Sequence, residues 1–258
     1  GADQDNGMII DNGVREEHLP WYRDLANLVC HGLNECGYVY CPGDIMARTD
    51  AWRQSLQAWQ DTVRRWAAAP TPDAVMRVSI FFDIRCVYGS STLCDALQKT
   101  MLEQASKNSI FLAALAANAL DSRPPLGIFR RFVVDRDGEH RDSLDLKKRG
   151  VLPVTEIVRL HALAHRIEAV NTDERLQALA AARHMTIVDS RNLADALHFI
   201  QHQRIKHQCE QILRGEKVSN FLNPRDLPKM AREQLRDAFT IIDEAQSAVR
   251  QTYRAGLG

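Results

Sequence analysis

Asp3 and Asp5, one glutamine apart at the head of an apolar run, carry the clearest chemistry in the chain. In an extended segment residues i and i+2 point to the same side, which sets the two carboxylates about 6–7 Å apart on one face. Like charges so placed repel unless a divalent cation lies between them, and Mg²⁺ is commonly held by one or two carboxylates together with substrate phosphates. The competing reading is an acidic pair at a loop–strand junction, simply solvated. Asp83 offers a third carboxylate from an otherwise apolar segment, where an unpaired charge is costly. Its simplest partner is Arg85, two residues along on the same face.

Other constellations are weaker. A calcium loop needs its glycine in the sixth position, whereas Asp3-Gln4-Asp5-Asn6-Gly7 places it fifth. Cys30, Cys36 and Cys41 lack a CxxC knuckle and read as packed thiols. No GxSxG elbow and no Walker lysine occurs. His161 and His165 stand one helical turn apart without the glutamate of a zincin motif, so packing or solvent exposure is favoured over a metal. On a helix over residues 190–213, steps of about 100° place Arg204 and Gln208 about 20° either side of Leu197, in the middle of the apolar stripe. Gln246 repeats this within the arc of Leu235, Phe239, Ile242, Val249 and Tyr253. A buried hydrogen-bond network or salt bridge is one reading of these intrusions; a polar ligand pocket is the other.

The elements that must position these groups follow from periodicity. Residues 6–11 form a short strand candidate, and Trp21, Leu25, Leu28 and Val29 recur at helical spacing. Residues 37–41 read as a brief β segment. Trp52, Leu56, Trp59, Val63 and Trp66 share a helical face that reads as core, and Pro70 and Pro72 end that helix. Residues 77–85 alternate, Val78, Ile80, Phe82 and Ile84 against Ser79, Phe81, Asp83 and Arg85, which predicts a strand. Helices through Leu97 and through residues 110–120 follow. Ser122-Arg123-Pro124-Pro125 marks the expected domain boundary, dividing residues 1–122 from 123–258. Beyond it, Asp135-Arg136-Asp137-Gly138 predicts a hairpin turn. Four helices are then expected after Pro153, with Asn171-Thr172 and Asp189-Ser190 as caps and Asn223-Pro224 ahead of the last. The fold class is therefore α+β, mostly α: a small sheet with helices, then a hairpin and a helical bundle.

Composition narrows the function classes. The 258 residues carry 33 basic and 33 acidic side chains, for zero formal charge, and 45% are hydrophobic. That balance argues against general nucleic-acid binding, and the apolar stretches fall short of the ~20 residues a bilayer requires. Six cysteines in a core of this size fit a reducing, cytoplasmic setting.

Several separated segments, in order, resemble bacterial nucleotidyltransferases similar to the PII-protein uridylyltransferase. Ala2-Asp3-Gln4-Asp5-Asn6-Gly7-Met8-Ile9 is similar to the family's Thr-Asp-Gln-Asp-Asn-Ala motif. Tyr40-Cys41-Pro42-Gly43-Asp44-Ile45-Met46-Ala47, Phe81-Phe82-Asp83-Ile84-Arg85, Asp145-Leu146-Lys147-Lys148-x-Gly150, Thr172-Asp173-Glu174-Arg175-Leu176 and Arg204-x-x-x-Gln208 also match its pattern. The resemblance spans essentially the whole chain.

It implies a nucleotidyltransferase-fold domain followed by a helical substrate-binding domain, in a protein whose upstream regulatory modules are of CBS or cyclic-nucleotide-sensing type. It implies that Asp3, Asp5 and Asp83 hold Mg²⁺ or Mn²⁺ and act as catalytic carboxylates, and that Asn6, Arg85, Lys147, Arg204 and Gln208 contact the nucleoside triphosphate or acceptor. Two metals on three carboxylates would orient the triphosphate, activate the attacking hydroxyl and neutralise the leaving pyrophosphate. The implied partners are ATP or UTP and a signalling protein of PII type or a small acceptor. The family's Gly-Ser-x-Gly-Arg-x-Glu phosphate cradle does not occur in these residues, so this stretch by itself is expected to transfer weakly or not at all. Ala2 stands where the family has threonine, a change that removes a hydroxyl and no metal ligand. A rival expectation is a non-catalytic regulatory module that keeps the fold and binds a ligand or partner.

Overall fold

Two small sheets and a majority of helix make up the computed structural model, which describes residues 3–134, 138 and 140–254. The chain divides into two units, residues 1–68 with 84–104 and residues 69–83 with 105–258. The proline-rich segment at 122–125 thus falls inside the second unit.

In the first unit, β1 (Met8–Ile10) pairs in parallel with β2 (Arg53–Ser55), Met8 opposite Arg53 and Ile10 opposite Ser55. Upstream of β1, Asp3 bridges Val39 in parallel. The helix α1 (Leu19–Glu35) opens with a proline in its first turn, where the missing N–H costs nothing. Its expected apolar face is turned outward: Trp21, Leu28 and Val29 are exposed, and the buried positions are Ala26 and Cys30. Those two small side chains pack with Cys41, Met46 and Ala47, so the core here follows the smallest residues on the helix. The helix α2 (Leu56–Ala68) keeps its expected core face, with Trp59 and Val63 buried and Trp52 buried just ahead of it. The Trp59 indole N–H donates to the Met8 carbonyl at 3.0 Å, tying α2 to β1. The helix α4 (Ser91–Lys107) completes the unit's elements, its last residues crossing into the second unit.

The strand expected at 77–85 is a helix, α3 (Pro72–Phe81). Thr71 supplies a capping hydroxyl, accepting from the Ala74 N–H at 3.2 Å, and Pro72 presets the first turn. Ala74, Val75, Val78, Phe81 and Phe82 are buried, an i, i+3, i+4 pattern that the alternation concealed because Val, Ile and Phe crowd both faces. Asp83 therefore lies just beyond a helix C-terminus.

The second unit continues with α5 (Ser109–Ala119), capped by Asn108, α6 (Leu152–Ala164) and α7 (Thr172–Ala181), capped by Asn171 as expected. Its longest helices are α8 (Ile187–Leu213) and α9 (Lys229–Arg254). The cap of α8 is Thr186, whose oxygen accepts from Asp189 N–H at 3.0 Å, so this helix starts three residues before the expected Asp189-Ser190. A short β3 (Leu144–Asp145) pairs antiparallel with β4 (Phe221–Leu222), so the chain beyond Pro153 is not wholly helical. Of the expected hairpin turn, Asp135, Arg136 and Asp137 lie outside the described residues. Leu144, Leu146, Val154, Val158, Leu176, Leu197, Ile200, Phe239 and Ile242 lie in one continuous core. No helix among the described residues is long and apolar enough to cross a membrane.

Candidate functional site

The segment from Asp3 to Asn6 alternates as its spacing predicts. Asp3 and Asp5 are exposed, while Gln4 between them is buried at 4%. The Gln4 carboxamide donates from Nε2 to the carbonyls of Cys30 and Tyr38, both at 2.8 Å, and its backbone N–H donates to Val39 O at 2.9 Å. Asn6 ties in the neighbouring loop: Oδ1 accepts from Ala47 N–H at 2.9 Å and from the Cys30 thiol at 3.6 Å, and Nδ2 donates to Gln4 Oε1 at 3.3 Å. Arg53, the residue opposite Met8, donates from Nη1 to the carbonyls of Ala47 and Arg48 at 2.8 and 3.0 Å and pairs with Asp50. The inner side chains Gln4 and Asn6, and Arg53 across from them, are thus all engaged. The two carboxylates on the outer side make no ion pair among the described residues. Asn6, expected to touch the nucleotide, spends its carboxamide holding this frame.

Asp83 belongs to the other unit, so the three carboxylates are divided between the two. Its partners are also not those of the sequence reading. Arg85 is not among them. Instead Arg175 Nη1 donates to Oδ1 at 2.7 Å, and Arg159 pairs with Oδ2 and donates from Nε to Oδ1 at 3.3 Å. Arg175 is 4% exposed and also donates from Nε to the carbonyl of Ala169, at 2.7 Å, and from Nη2 to that of Phe82, at 3.3 Å. Burial pushes the Asp83 carboxyl up, but the hydrogen bonds and charges of the two arginines outweigh it and hold the group below the usual carboxylate range. Among the described residues no three His, Cys, Asp or Glu side chains gather in a metal-holding arrangement.

In the second unit Asp145 Oδ1 accepts from the Lys148 N–H at 2.9 Å and so starts a single π-helical turn (Lys147–Val151), on which Lys147 is exposed. Gly150 closes that turn against α8: a Cβ there would lie 2.9 Å from a methyl of the buried Ile200 and 3.3 Å from the Phe239 ring. Arg204 and Gln208 are half-buried. Gln208 Nε2 donates to Asn220 Oδ1 at 3.1 Å, and Asn220 O accepts from Leu146 N–H at 3.0 Å, linking α8 to the β3–β4 pair. Ile212, one turn beyond Gln208 on the same helix, is 62% exposed. Gln246 is the buried structural donor that its position suggested, reaching Ala119 O at 2.9 Å and Ser122 O at 2.8 Å.

His161 and His184 line a concavity of about 840 Å³, together with Ile157, Asn192 and Ala245 among others. His165 stacks on His184 at 3.7 Å between centroids, and the His161 ring lies 6.5 Å from that of His165. Burial, with help from His165, pushes the His161 imidazole down to about 4, and burial pushes Tyr253, 3.3 Å from His161 Nδ1, up to about 12. His161 is thus a neutral imidazole wedged under α9.

Arg159 was not singled out from the sequence, and Arg175 and Tyr253 entered there only as members of a matched segment and of an apolar arc. Arg175 had a usable signal, since it sits beside Leu176 and one turn before Leu179 on the buried side of an amphipathic helix.

Residues 109–253, more than half of the chain, match the family described as “Putative nucleotidyltransferase substrate binding domain”, and the chain belongs to that family. Residues 1–73 match “Putative nucleotidyltransferase DUF294”. No curated protein matches the chain.

Proposed function

We propose that the protein moves a nucleoside monophosphate from ATP or UTP to a signalling protein or a small acceptor. The observation that carries this reading is the pair Asp3 and Asp5, exposed and unpaired on one side of a segment whose other side is locked by Gln4 and Asn6. The donor set suits a hard cation: two carboxylate oxygens, with the triphosphate's own oxygens to complete an octahedral shell. Mg²⁺ or Mn²⁺ bound there would neutralise charge on the triphosphate and its leaving pyrophosphate. What the chain contributes is placement. Gln4 fixes the direction of the two carboxylates, and Asn6 and Arg53 hold the 44–53 loop beside them. For Asp83 to take a cation it would have to surrender two arginine pairs, so the metal is assigned to Asp3 and Asp5, and Asp83 anchors Arg159 and Arg175.

The test is transfer from labelled ATP and UTP by the full-length protein with Mg²⁺. Asp3→Asn and Asp5→Asn should each lower the rate roughly a hundredfold or more, and each should weaken Mn²⁺ binding followed by electron paramagnetic resonance. Undiminished transfer in both variants would sink the assignment. A non-catalytic regulatory role is the second reading, favoured because no third acidic, histidine or cysteine side chain gathers with Asp3 and Asp5 among the described residues. It is the outcome if the wild type neither binds Mn²⁺ nor transfers.

A further inference from the structure

The last turns of α8 are inside out. As far as Ile200 the buried face is aliphatic: Leu193, Ala196, Leu197 and Ile200. Beyond it the inward positions are Gln203, Arg204, His207, Gln208 and Gln211, while Ile205, Ile212 and Leu213 face solvent at 53, 62 and 87% exposure. Part of this polar face has an internal reason. Gln211 accepts from Ser219 N–H at 2.8 Å and donates to Ser219 Oγ at 3.1 Å, and Gln208 donates to Asn220. Arg204 Nε and His207 Nε2 have none: both atoms are closed off from solvent and neither meets a hydrogen-bond partner among the described residues. Arg204 has no ion pair among the described residues either. Glu216, the acid close enough to feel His207, already gives both carboxylate oxygens to Arg214, at 2.8 and 2.9 Å.

A buried donor left unmade is expensive, and more so on a charged group. Such a donor on Arg204, with the unpartnered His207 Nε2 one helical turn away, a donor in one tautomer and in the imidazolium, describes a half-built binding site. What would complete it is an acceptor with negative charge, since a guanidinium offers Nε and an Nη as a planar fork matched to two oxygens of a phosphate or carboxylate. From these observations we infer that Arg204 and His207 form an oxyanion site, which takes the phosphate or carboxylate group of a small acidic ligand against α8. This deepens the reading of residues 109–253 as a substrate-binding unit, naming the charge and group of the substrate.

The probes are inorganic phosphate and succinate, each compared with chloride at equal ionic strength, on the intact protein. The Arg204 Nε–H resonance of the wild type should shift with one or both, the choice between them naming the ligand class, and the melting temperature should rise with the same anion. Arg204→Met should lose that rise and bind the anion about tenfold or more weakly, while melting in chloride no lower than the wild type, because it removes an uncompensated charge. His207→Phe should weaken the same response. No resonance shift with either anion in the wild type, or an equal anion response in wild type and Arg204→Met, would overturn the inference. Either result leaves the Asp3 and Asp5 assignment standing, because Mn²⁺ binding there is read separately.

Discussion

Arg175 on α7 reaches the carboxylate of Asp83, ninety-two positions earlier in the chain, at 2.7 Å, and donates from Nη2 to the carbonyl of the residue before it. The acid so held is two-thirds buried, and the arginine is almost wholly so. Removing one partner strands the other.

Asp83→Asn should therefore destabilise the protein by about 2–3 kcal/mol in urea denaturation, a figure discounted for the acid's partial exposure. A double variant with Arg175→Met should recover part of the loss. If the single variant is within 0.5 kcal/mol of wild type, on the order of an ordinary surface change, the pair is not structural.

Asp83 also sets an acid limit. Its folded pKa lies below the usual 3.8, so the unfolded chain binds the proton first as pH falls. The stability it contributes is present above about pH 4 and is lost as pH drops through the lower folded value. Wild type should lose stability more steeply than Asp83→Asn as pH falls below about 4.

His161 titrates in a different window. Its folded value is about 4 against 6.5 for the free side chain, so the unfolded state binds protons first between them. Stability is full above about pH 6.5 and falls by about 3 kcal/mol by pH 4. His161→Gln, which keeps a hydrogen-bonding group near Tyr253, should flatten that slope. Parallel curves for the two proteins would show that the imidazole is not buried neutral.

Gln4→Leu should cost about 2–4 kcal/mol, because it leaves the carbonyls of Cys30 and Tyr38 without their donor in a buried place. Mn²⁺ affinity should fall with it even though no ligand is touched. A variant as stable as wild type, with Mn²⁺ binding intact, would show that the frame is not needed.

Gly150→Ala should destabilise by about 1–3 kcal/mol, the range of overpacking in a filled core. The new methyl meets Ile200, which is fully buried and cannot step aside. Thermal unfolding decides it.

Local signals were legible in the sequence where they depended on neighbours along the chain. The Asn171 cap, the tryptophan face of α2, the alternation of residues 3–6 and the buried Gln246 all follow from spacing. The strand expected at 77–85 failed because a run rich in Val, Ile and Phe satisfies both periods, and only the Thr71-Pro72 start decides for helix. The outward face of α1 failed because packing selected Ala26 and Cys30 over larger neighbours. Arg159 and Arg175 lie 76 and 92 residues from Asp83. No local pattern reports a pairing at that range, and the nearer Arg85 satisfied every local criterion.

The path of the backbone, which leaves the first unit after residue 68, returns at 84 and leaves again after 104, has an effect on how this protein can be made or cut. A ribosome releases Asp83 long before Arg175 exists, so the acid waits without its counter-ion until α7 emerges. A gene fusion or expression boundary drawn at residue 109, where the substrate-binding match begins, would keep Arg159 and Arg175 but discard the acid that neutralises them. The portable piece begins no later than Thr71, and any graft of the helical half onto another domain must carry that short helix along.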